Sequence, residues 1–256
     1  MPKSLILSII IVLLICFIYT YCIHNTHENA SNVDSVDSVK KYTFTTNKNA
    51  LTIGFLGGVH GNEPSGAHEL QHLIDTGYFR HAALTSNTNI KVIPRANDFG
   101  LRYNSRYRYL PHMWNDADLN RVFHKNDAMG NDIKEFFKDC YLVVDFHEGW
   151  GWNLINPNSL GSTITPSHRH IRPMCQRIAD SLNYDPTSNE AIMSDNRKKF
   201  TVGYTPPCDI KGTFSCHRWN SNELHILVEI SGQNDIQPIH IRRRQVKKVV
   251  EVCLGF

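Results

Sequence analysis

Residues 51–64 read LTIGFLGGVHGNEP, and this stretch decides what kind of fold the chain can have. Its first six residues have the pattern of a buried strand, and the glycines that follow let the backbone turn sharply at the strand end. Pro64 suits the first turn of a helix, which we predict from Pro64 to about Phe79. A strand, a loop and a helix in this order predict an α/β fold, with the loop at the ligand-binding edge of its sheet.

The same loop carries a histidine and a glutamate three residues apart, His60 and Glu63. Imidazole and carboxylate groups suit Zn²⁺, and two such ligands from one turn leave positions open for a third ligand and a water. A capping glutamate beside a surface histidine would have the same spacing, so the pair alone does not decide between the two interpretations.

A third candidate ligand lies in residues 141–149 (YLVVDFHEG), a continuous apolar run typical of a strand buried on both faces. His147 is near the end of this run. Asp145, two residues earlier, would lie on the same side of the strand and could accept the proton on the other imidazole nitrogen. The alternative is a buried His-Asp pair that only closes the strand.

Two further segments place polar groups among apolar ones. Residues 115–123 (NDADLNRVF) put Asn120 beside Arg121, an amide and a guanidinium fork that suit a substrate carboxylate; a solvated loop is the alternative. Residues 224–232 (LHILVEISG) read as another buried strand with Glu229 as its single carboxylate. Such a carboxylate is costly to bury unless it is used, which makes it a candidate general base; an edge strand facing water is the alternative.

In this order, the motifs GGVHGNE, DLNRVF, DFH and a late strand glutamate resemble the succinylglutamate desuccinylase/aspartoacylase family, a branch of the zinc carboxypeptidase (M14-like) superfamily. The resemblance covers about residues 51–232. It implies a single zinc-carboxypeptidase-like α/β domain, with a mixed central β-sheet flanked by helices. It also implies one Zn²⁺ per chain. The residues that it assigns are the zinc ligands His60, Glu63 and His147, the base Glu229, and the carboxylate anchors Asn120 and Arg121.

The family also uses an arginine shortly before its DLNR motif to polarise the scissile carbonyl. Residues 101–111 (LRYNSRYRYLP) offer three, and Arg95 lies before them. We predict Arg108, because an Arg-Tyr pair before the motif fits best, with Arg106 and Arg102 as alternatives.

The resemblance implies a zinc hydrolase that cleaves an amide bond next to a carboxylate, an N-acyl amino acid deacylase. The family continues past its base into a β-rich domain, whereas the residues after Glu229 read here as one helix. A more open cleft is therefore expected, and the first alternative is an M14-like metallocarboxypeptidase that acts on peptides. The second is a non-catalytic, membrane-tethered pseudoenzyme. The substrate would be a small acyl-amino acid or a peptide.

Composition agrees with a globular domain. The chain has 256 residues, of which 41% are hydrophobic and 20% charged. A net charge of +3 is too small to indicate nucleic acid as a partner. The one basic cluster, residues 242–248 (RRRQVKK), is interpreted as a solvated helix face.

Residues 4–22 carry no charge and are long enough to span a bilayer. Lys3 precedes them and acidic residues follow, which places the N-terminus in the cytosol and the rest on the non-cytosolic side. We predict a transmembrane signal-anchor over residues 1–22, a flexible linker over 23–40 and a zinc hydrolase catalytic domain over 41–256. A cleaved signal peptide is the alternative to this single-pass membrane protein.

Five cysteines lie beyond the predicted anchor, an odd count that does not indicate a disulfide framework. Cys208 and Cys216 could still bridge a loop if the domain is lumenal. Residues 188–219 are polar, with several glycines and prolines, and are predicted to be a long surface excursion that shapes substrate choice.

Overall fold

The centre of the computed structural model is one seven-stranded sheet. The structure describes residues 39–109, 116–185, 187, 191, 194–203 and 208–256. The strands are β1 Tyr42–Phe44, β2 Thr52–Gly57, β3 Asn89–Ile93, β4 Leu142–Gly149, β5 Thr163–Pro166, β6 Thr201–Val202 and β7 Leu224–Ser231. They are arranged in the order β1-β3-β2-β4-β7-β5-β6.

The sheet is mixed, as predicted. Strands β3, β2, β4 and β7 are parallel neighbours, whereas β1 and β5 run antiparallel to β3 and β7. The apolar runs predicted as buried strands are the interior strands β2, β4 and β7, which fits their continuous hydrophobicity. Because β7 lies between β4 and β5, the edge-strand alternative for the strand of Glu229 is excluded.

Helices cover both faces of this sheet. They are α1 Pro64–Asp75, α2 Tyr78–Ser86, α3 Asp98–Tyr103, α4 Ala128–Phe137, α5 Arg172–Tyr184, α6 Phe214–Asn220 and α7 Ile239–Leu254. Phe55 and Leu56, adjacent in β2, belong to two different hydrophobic clusters. One cluster includes side chains of α1, α5 and α7, and the other includes side chains of α4 and α6. The result is a three-layered α/β/α domain.

The single helix predicted from Pro64 to about Phe79 is two helices. Gly77 separates them with φ of 74°, the left-handed region that glycine adopts without a steric penalty. The hydrophobic pattern continues across this break because both helices pack on the same core. The apolar spacing therefore did not reveal where the first helix ends.

The predicted surface excursion contains more structure than its polarity suggested. Within the described part of residues 188–219 lie β6 and most of α6, in which Phe214 and Arg218 are buried. The guanidinium of Arg218 donates to the main-chain oxygens of Phe137, Cys140 and Leu224, at 3.0 to 3.1 Å. A charged side chain whose donors are hydrogen-bonded in this way can be buried. The polar sequence around Arg218 had predicted that it would be exposed.

The bridge between Cys208 and Cys216 is present, with the two Cα atoms 4.5 Å apart. The predicted anchor and nearly all of the predicted linker lie outside the described residues. Among the residues described from 39 onward, no helix is long and apolar enough to cross a membrane.

The prediction that the basic residues of α7 form a solvated face is wrong for Arg242. This side chain is 3% exposed and pairs with the carboxylates of Glu148 and Asp235. Its neighbour Arg243 pairs with the buried Glu69 of α1. Arg242 therefore holds α7 against the end of β4, and Arg243 holds it against α1.

Candidate metal centre and substrate cavity

Three side chains converge at the carboxyl-terminal ends of β2 and β4. Nδ1 of His60 lies 2.9 Å from Oε1 of Glu63, and Nδ1 of His147 lies 2.9 Å from Oε2 of the same carboxylate. The two Nδ1 atoms are 3.1 Å apart. One possible ligand atom from each residue lies within 4.8 Å of the others, and all three residues are buried. The parallel pairing of β2 with β4 brings these distant residues together.

The outward-facing nitrogen of each histidine contacts a carboxylate. His60 Nε2 lies 3.2 Å from Asp118 Oδ1, and His147 Nε2 lies 3.2 Å from Asp145 Oδ2. With a cation at the cluster, each Nε2 would donate its proton to its carboxylate and each Nδ1 lone pair would be directed at the cation. The predicted partnership of Asp145 with His147 is confirmed as a contact.

This donor set fits a divalent metal ion. Two imidazole lone pairs and a carboxylate within about 3 Å repel one another unless a positive charge lies among them. In the absence of an ion that charge is a proton. Burial works to lower the pKa of His147, but the carboxylates of Asp145 and Glu63 outweigh it and hold that pKa well above its usual value. A cation with two imidazole ligands and one carboxylate ligand would replace this proton.

The turn that carries His60 and Glu63 depends on glycines. Gly58 has φ of 68°. A Cβ on Gly61 would lie 1.8 Å from the carbonyl carbon of Gly100, so only glycine permits this backbone contact. The GGVHGNE motif is therefore a structural requirement for the turn as well as a source of ligands.

Glu229 lies beside the cluster. It is paired in register with His147 on the neighbouring strand, and its side chain is partly buried and lines the same cavity. Loss of solvent, supported by the negative charges of Glu63 and Asp145, raises the pKa of Glu229 to about 8. A cation at the cluster would lower this pKa, and an ionised Glu229 could then accept a proton and return it.

One cavity of about 270 Å³ unites the three candidate ligands with Glu229, Asn120 and Arg121. Arg121 donates from Nη1 to the main-chain oxygen of Asn120 at 2.7 Å, and its fork has further donors for a substrate. The Asn120 side chain has a structural task as well, because its Oδ1 accepts from the main-chain nitrogen of Phe214 at 3.0 Å.

The structure does not place Arg108 in this cavity. Its guanidinium donates to both carboxylate oxygens of Asp127 at 2.8 and 2.6 Å, and Arg108 is not among the residues that line the cavity. Arg102 and Arg95 both bind Asp98. The ion pairs with Asp127 and Asp98 fix the orientations of these arginine side chains. The spacing of the arginines in the sequence does not reveal these pairings.

Arg106 is the arginine of this group that lines the cavity. Its Nε donates to Oδ2 of Asp118 at 2.9 Å, and its Nη1 lies 3.4 Å from Oε1 of Glu63. Asp118 therefore contacts both His60 and Arg106. Sequence reasoning passed over Asp118, whose only signal was its place in the DLNR motif.

The disulfide-closed loop also contributes to the cavity. Asp209, Ile210, Thr213 and Ser215 line it, and all four lie between Cys208 and Cys216. Gln233, which follows β7, lines the cavity as well. Sequence reasoning missed these residues as site residues, because no local motif connects them with the HGNE turn.

No family model matches this sequence, and no curated protein matches it. Its fold is nevertheless found in solved structures. A tripeptide-bound cell shape determinant protein Csd4 from Helicobacter pylori superposes with a TM-score of 0.65 at 15% sequence identity. The match covers 84% of this chain and 54% of the Csd4 chain, so this chain spans about half the length of that relative.

Two similar structures have been provisionally described as metallopeptidases. The protein from Shewanella denitrificans OS217 has a TM-score of 0.59 and 14% identity, over 86% of this chain and 80% of its own. The protein from Shewanella amazonensis SB2B has a TM-score of 0.57 and 16% identity, over 83% and 79%. These similarities establish that the chain shares its fold with these proteins.

Proposed function

We propose that this chain is a zinc-dependent hydrolase that cleaves an amide bond next to a carboxylate in a peptide, as a metallocarboxypeptidase does. The observation that carries this proposal is a single cavity that combines the cluster of His60, Glu63 and His147 with Glu229 and two arginines. A peptide substrate is favoured because the fold is shared with a structure that holds a tripeptide and with one described as an mDAP-bound D,L-carboxypeptidase.

His60, Glu63 and His147 would hold the zinc ion, which when bound supplies Lewis acidity for the scissile carbonyl and for a water molecule. Glu229 accepts a proton from the attacking water at its carboxylate. It then returns this proton to the nitrogen of the leaving amine, so that the group ends the cycle in its starting state.

The two arginines of the cavity have separate tasks in this proposal. Arg106 directs its guanidinium at the negative charge that develops on the carbonyl oxygen, and Asp118 holds it in place. Arg121 binds the substrate carboxylate next to the scissile bond through its planar fork. The pseudoenzyme alternative is disfavoured, because ligands, base and both arginines share one cavity.

A second candidate is the deacylation of N-acyl amino acids. The GGVHGNE and DLNRVF motifs favour this class, which needs the same ligands, base and carboxylate anchor. The two candidates differ in the group on the acyl side of the scissile bond, which is a peptide in one and a small acyl group in the other. Activity on one substrate of each class distinguishes them.

The proposal is tested with the Glu229→Gln variant. This change keeps the size and hydrogen-bonding reach of the side chain but leaves no group to accept the proton. We expect kcat to fall by about 10²–10⁴, with close to one zinc per chain retained. Zinc analysis and steady-state kinetics on a peptide and on an N-acyl amino acid measure both quantities.

The matched controls are His147→Ala, which should lose the zinc, and Arg121→Ala. Arg121→Ala should reduce kcat/KM mainly for substrates with a free carboxylate, whereas their amidated forms should change little. Full activity of Glu229→Gln, or stoichiometric zinc in His147→Ala, would contradict the proposed site.

A further inference from the structure

Gln233 contacts a candidate ligand from a distant part of the chain. Its Nε2 donates to Oε1 of Glu63 at 3.0 Å and to the main-chain oxygen of Glu148 at 2.6 Å. The main-chain nitrogen of Glu148 donates to Oε2 of Glu63 at 3.0 Å. Each oxygen of the Glu63 carboxylate therefore accepts one hydrogen bond from a neutral donor.

Chemistry determines the orientation of this amide. Both partners of Nε2 are oxygens that can only accept, so a flipped amide would place its own oxygen against two acceptors. Both hydrogens of the Gln233 amide are therefore donated, one to the carboxylate of Glu63 and one to the main-chain oxygen of Glu148. This environment suits an amide and does not suit the carboxylate of a glutamate.

The turn after β7 is built so that Gln233 reaches this position. Asn234 and Asp235 follow it with φ of 59° and 52°, two consecutive non-glycine residues in the left-handed region. Such conformations cost free energy and persist where the surrounding structure fixes them, often next to functional sites. A Cβ on the preceding Gly232 would lie 1.9 Å from Oε2 of Glu148, so a larger residue there would displace this carboxylate from Arg242.

A chain of charged contacts fixes the turn to the start of α1. Asp235 accepts from Nη2 of Arg242 at 2.7 Å, and Nη1 of Arg242 donates to Oε2 of Glu148 at 2.6 Å. Oε1 of Glu148 accepts from the main-chain nitrogen of Ser65 at 2.7 Å. Ser65 lies two residues after Glu63, so these contacts and Gln233 act on the same short segment.

We propose that Gln233 is a positioning residue that holds the Glu63 carboxylate in its metal-binding orientation and thereby sets the affinity of the site for its cation. The inference rests on the metal site of the proposed function. Gln233 would act through Glu63, since its amide has no lone pair to offer from the donating nitrogen. The contacts of Asp235 and Arg242 keep the turn in place around it.

The test measures zinc affinity by competition with a chromophoric chelator in the wild type, Gln233→Met and Gln237→Ala. Methionine fills a similar volume but cannot donate. We expect Gln233→Met to raise the zinc Kd by about 10–100-fold, the usual effect of removing a hydrogen-bond partner from a metal ligand. The cobalt-substituted variant should also show shifted visible absorption bands, because the carboxylate is no longer held.

Gln237 is the matched control. It lies in the same connection, is 3% exposed, and donates to the main-chain oxygen of Ser231 at 2.6 Å. Gln237→Ala should lower the melting temperature and leave the zinc Kd within about twofold, since its amide bonds to the backbone of β7. This variant measures how far destabilisation of the segment between β7 and α7 changes the zinc Kd when the hydrogen bond from Gln233 to Glu63 is intact.

A change below tenfold in Gln233→Met, or an equal loss in Gln237→Ala, would overturn the role of Gln233 and leave the proposed function standing. A wild-type protein that binds no zinc would overturn the metal site itself, and this inference with it. A loss of tenfold or more confined to Gln233→Met supports the proposal.

Discussion

Arg106 and Arg108 are two positions apart, yet the structure gives them different environments. Arg106 lines the cavity and contacts Asp118, which also contacts the candidate ligand His60. Arg108 makes a two-point contact with Asp127, the residue that caps the start of α4. One arginine is thus available for chemistry, and the other stabilises the connection between a loop and a helix.

Alanine substitutions separate these two tasks. Arg106→Ala should lower kcat by about 10²–10³, the usual loss when a donor to a developing oxyanion is removed. Arg108→Ala should leave kcat nearly unchanged and lower the free energy of unfolding by about 1–3 kcal/mol, because Asp127 loses its partner. The opposite assignment of these effects in kinetic and denaturation measurements would show that Arg108 is the polarising residue.

The proton that the cluster holds without a metal has a measurable consequence. The pKa of His147 is raised well above its usual value, so the ion-free site is protonated near neutral pH, and a zinc ion at the proposed site would have to displace that proton. The apparent zinc affinity should therefore increase as pH rises from about 6 to 8, with release of protons to the buffer. Calorimetry in buffers of different ionisation enthalpy measures this release, and an affinity independent of pH would contradict it.

At the scale of elements, the disulfide-closed segment 208–216 forms one side of the cavity. The bridge between Cys208 and Cys216 closes it, and Asn120 holds it through the main-chain nitrogen of Phe214. Phe123 adds a main-chain contact to Gly212 at 3.1 Å. The loop is thereby connected to the segment that carries Arg121, the proposed anchor for a substrate carboxylate.

Removal of the bridge should affect binding more than metal content. A Cys208→Ser/Cys216→Ser variant loses the restriction of a short closed loop, worth about 2–3 kcal/mol in the chain-entropy account. We expect a lower melting temperature and a higher KM, with zinc content unchanged. Mild reduction of the wild type should reproduce the change in KM. An unchanged KM in both experiments would show that the loop does not shape the substrate site.

At the scale of the whole molecule, the sheet determines where chemistry can occur. The parallel strands β2, β4 and β7 end at one edge, and this edge brings together His60, His147 and Glu229. Hydrophobic clusters on both faces of the sheet leave that edge as the place where polar side chains can meet a substrate.

The leader carries the remaining prediction at this scale. The uncharged residues 4–22, with Lys3 before them, predict an integral membrane protein whose catalytic domain is non-cytosolic. Carbonate extraction of the full-length protein should leave it in the membrane pellet. Protease added to sealed vesicles should spare the domain until detergent is present. A soluble product that begins near residue 23 would show a cleaved signal peptide instead.

The sequence by itself determined the α/β class, the interior strands and the three candidate ligands. Each of these depends on a local pattern: continuous apolar runs, glycines at a strand end, and His60 three residues before Glu63. Such patterns are legible because periodicity and turn chemistry act over a few residues. The contact among the three candidate ligands depends in addition on the parallel pairing of β2 with β4.

The tertiary structure alone decided which arginine enters the cavity, that Asp118 orients His60, and that Gln233 contacts Glu63. The last two residues are separated by 170 positions, and the hydrogen bond between them has no counterpart in local sequence. The path of a loop determines the direction of its polar side chains, and therefore the groups that they contact. That direction is fixed by distant packing and by competing acids, such as Asp127, which no short motif encodes.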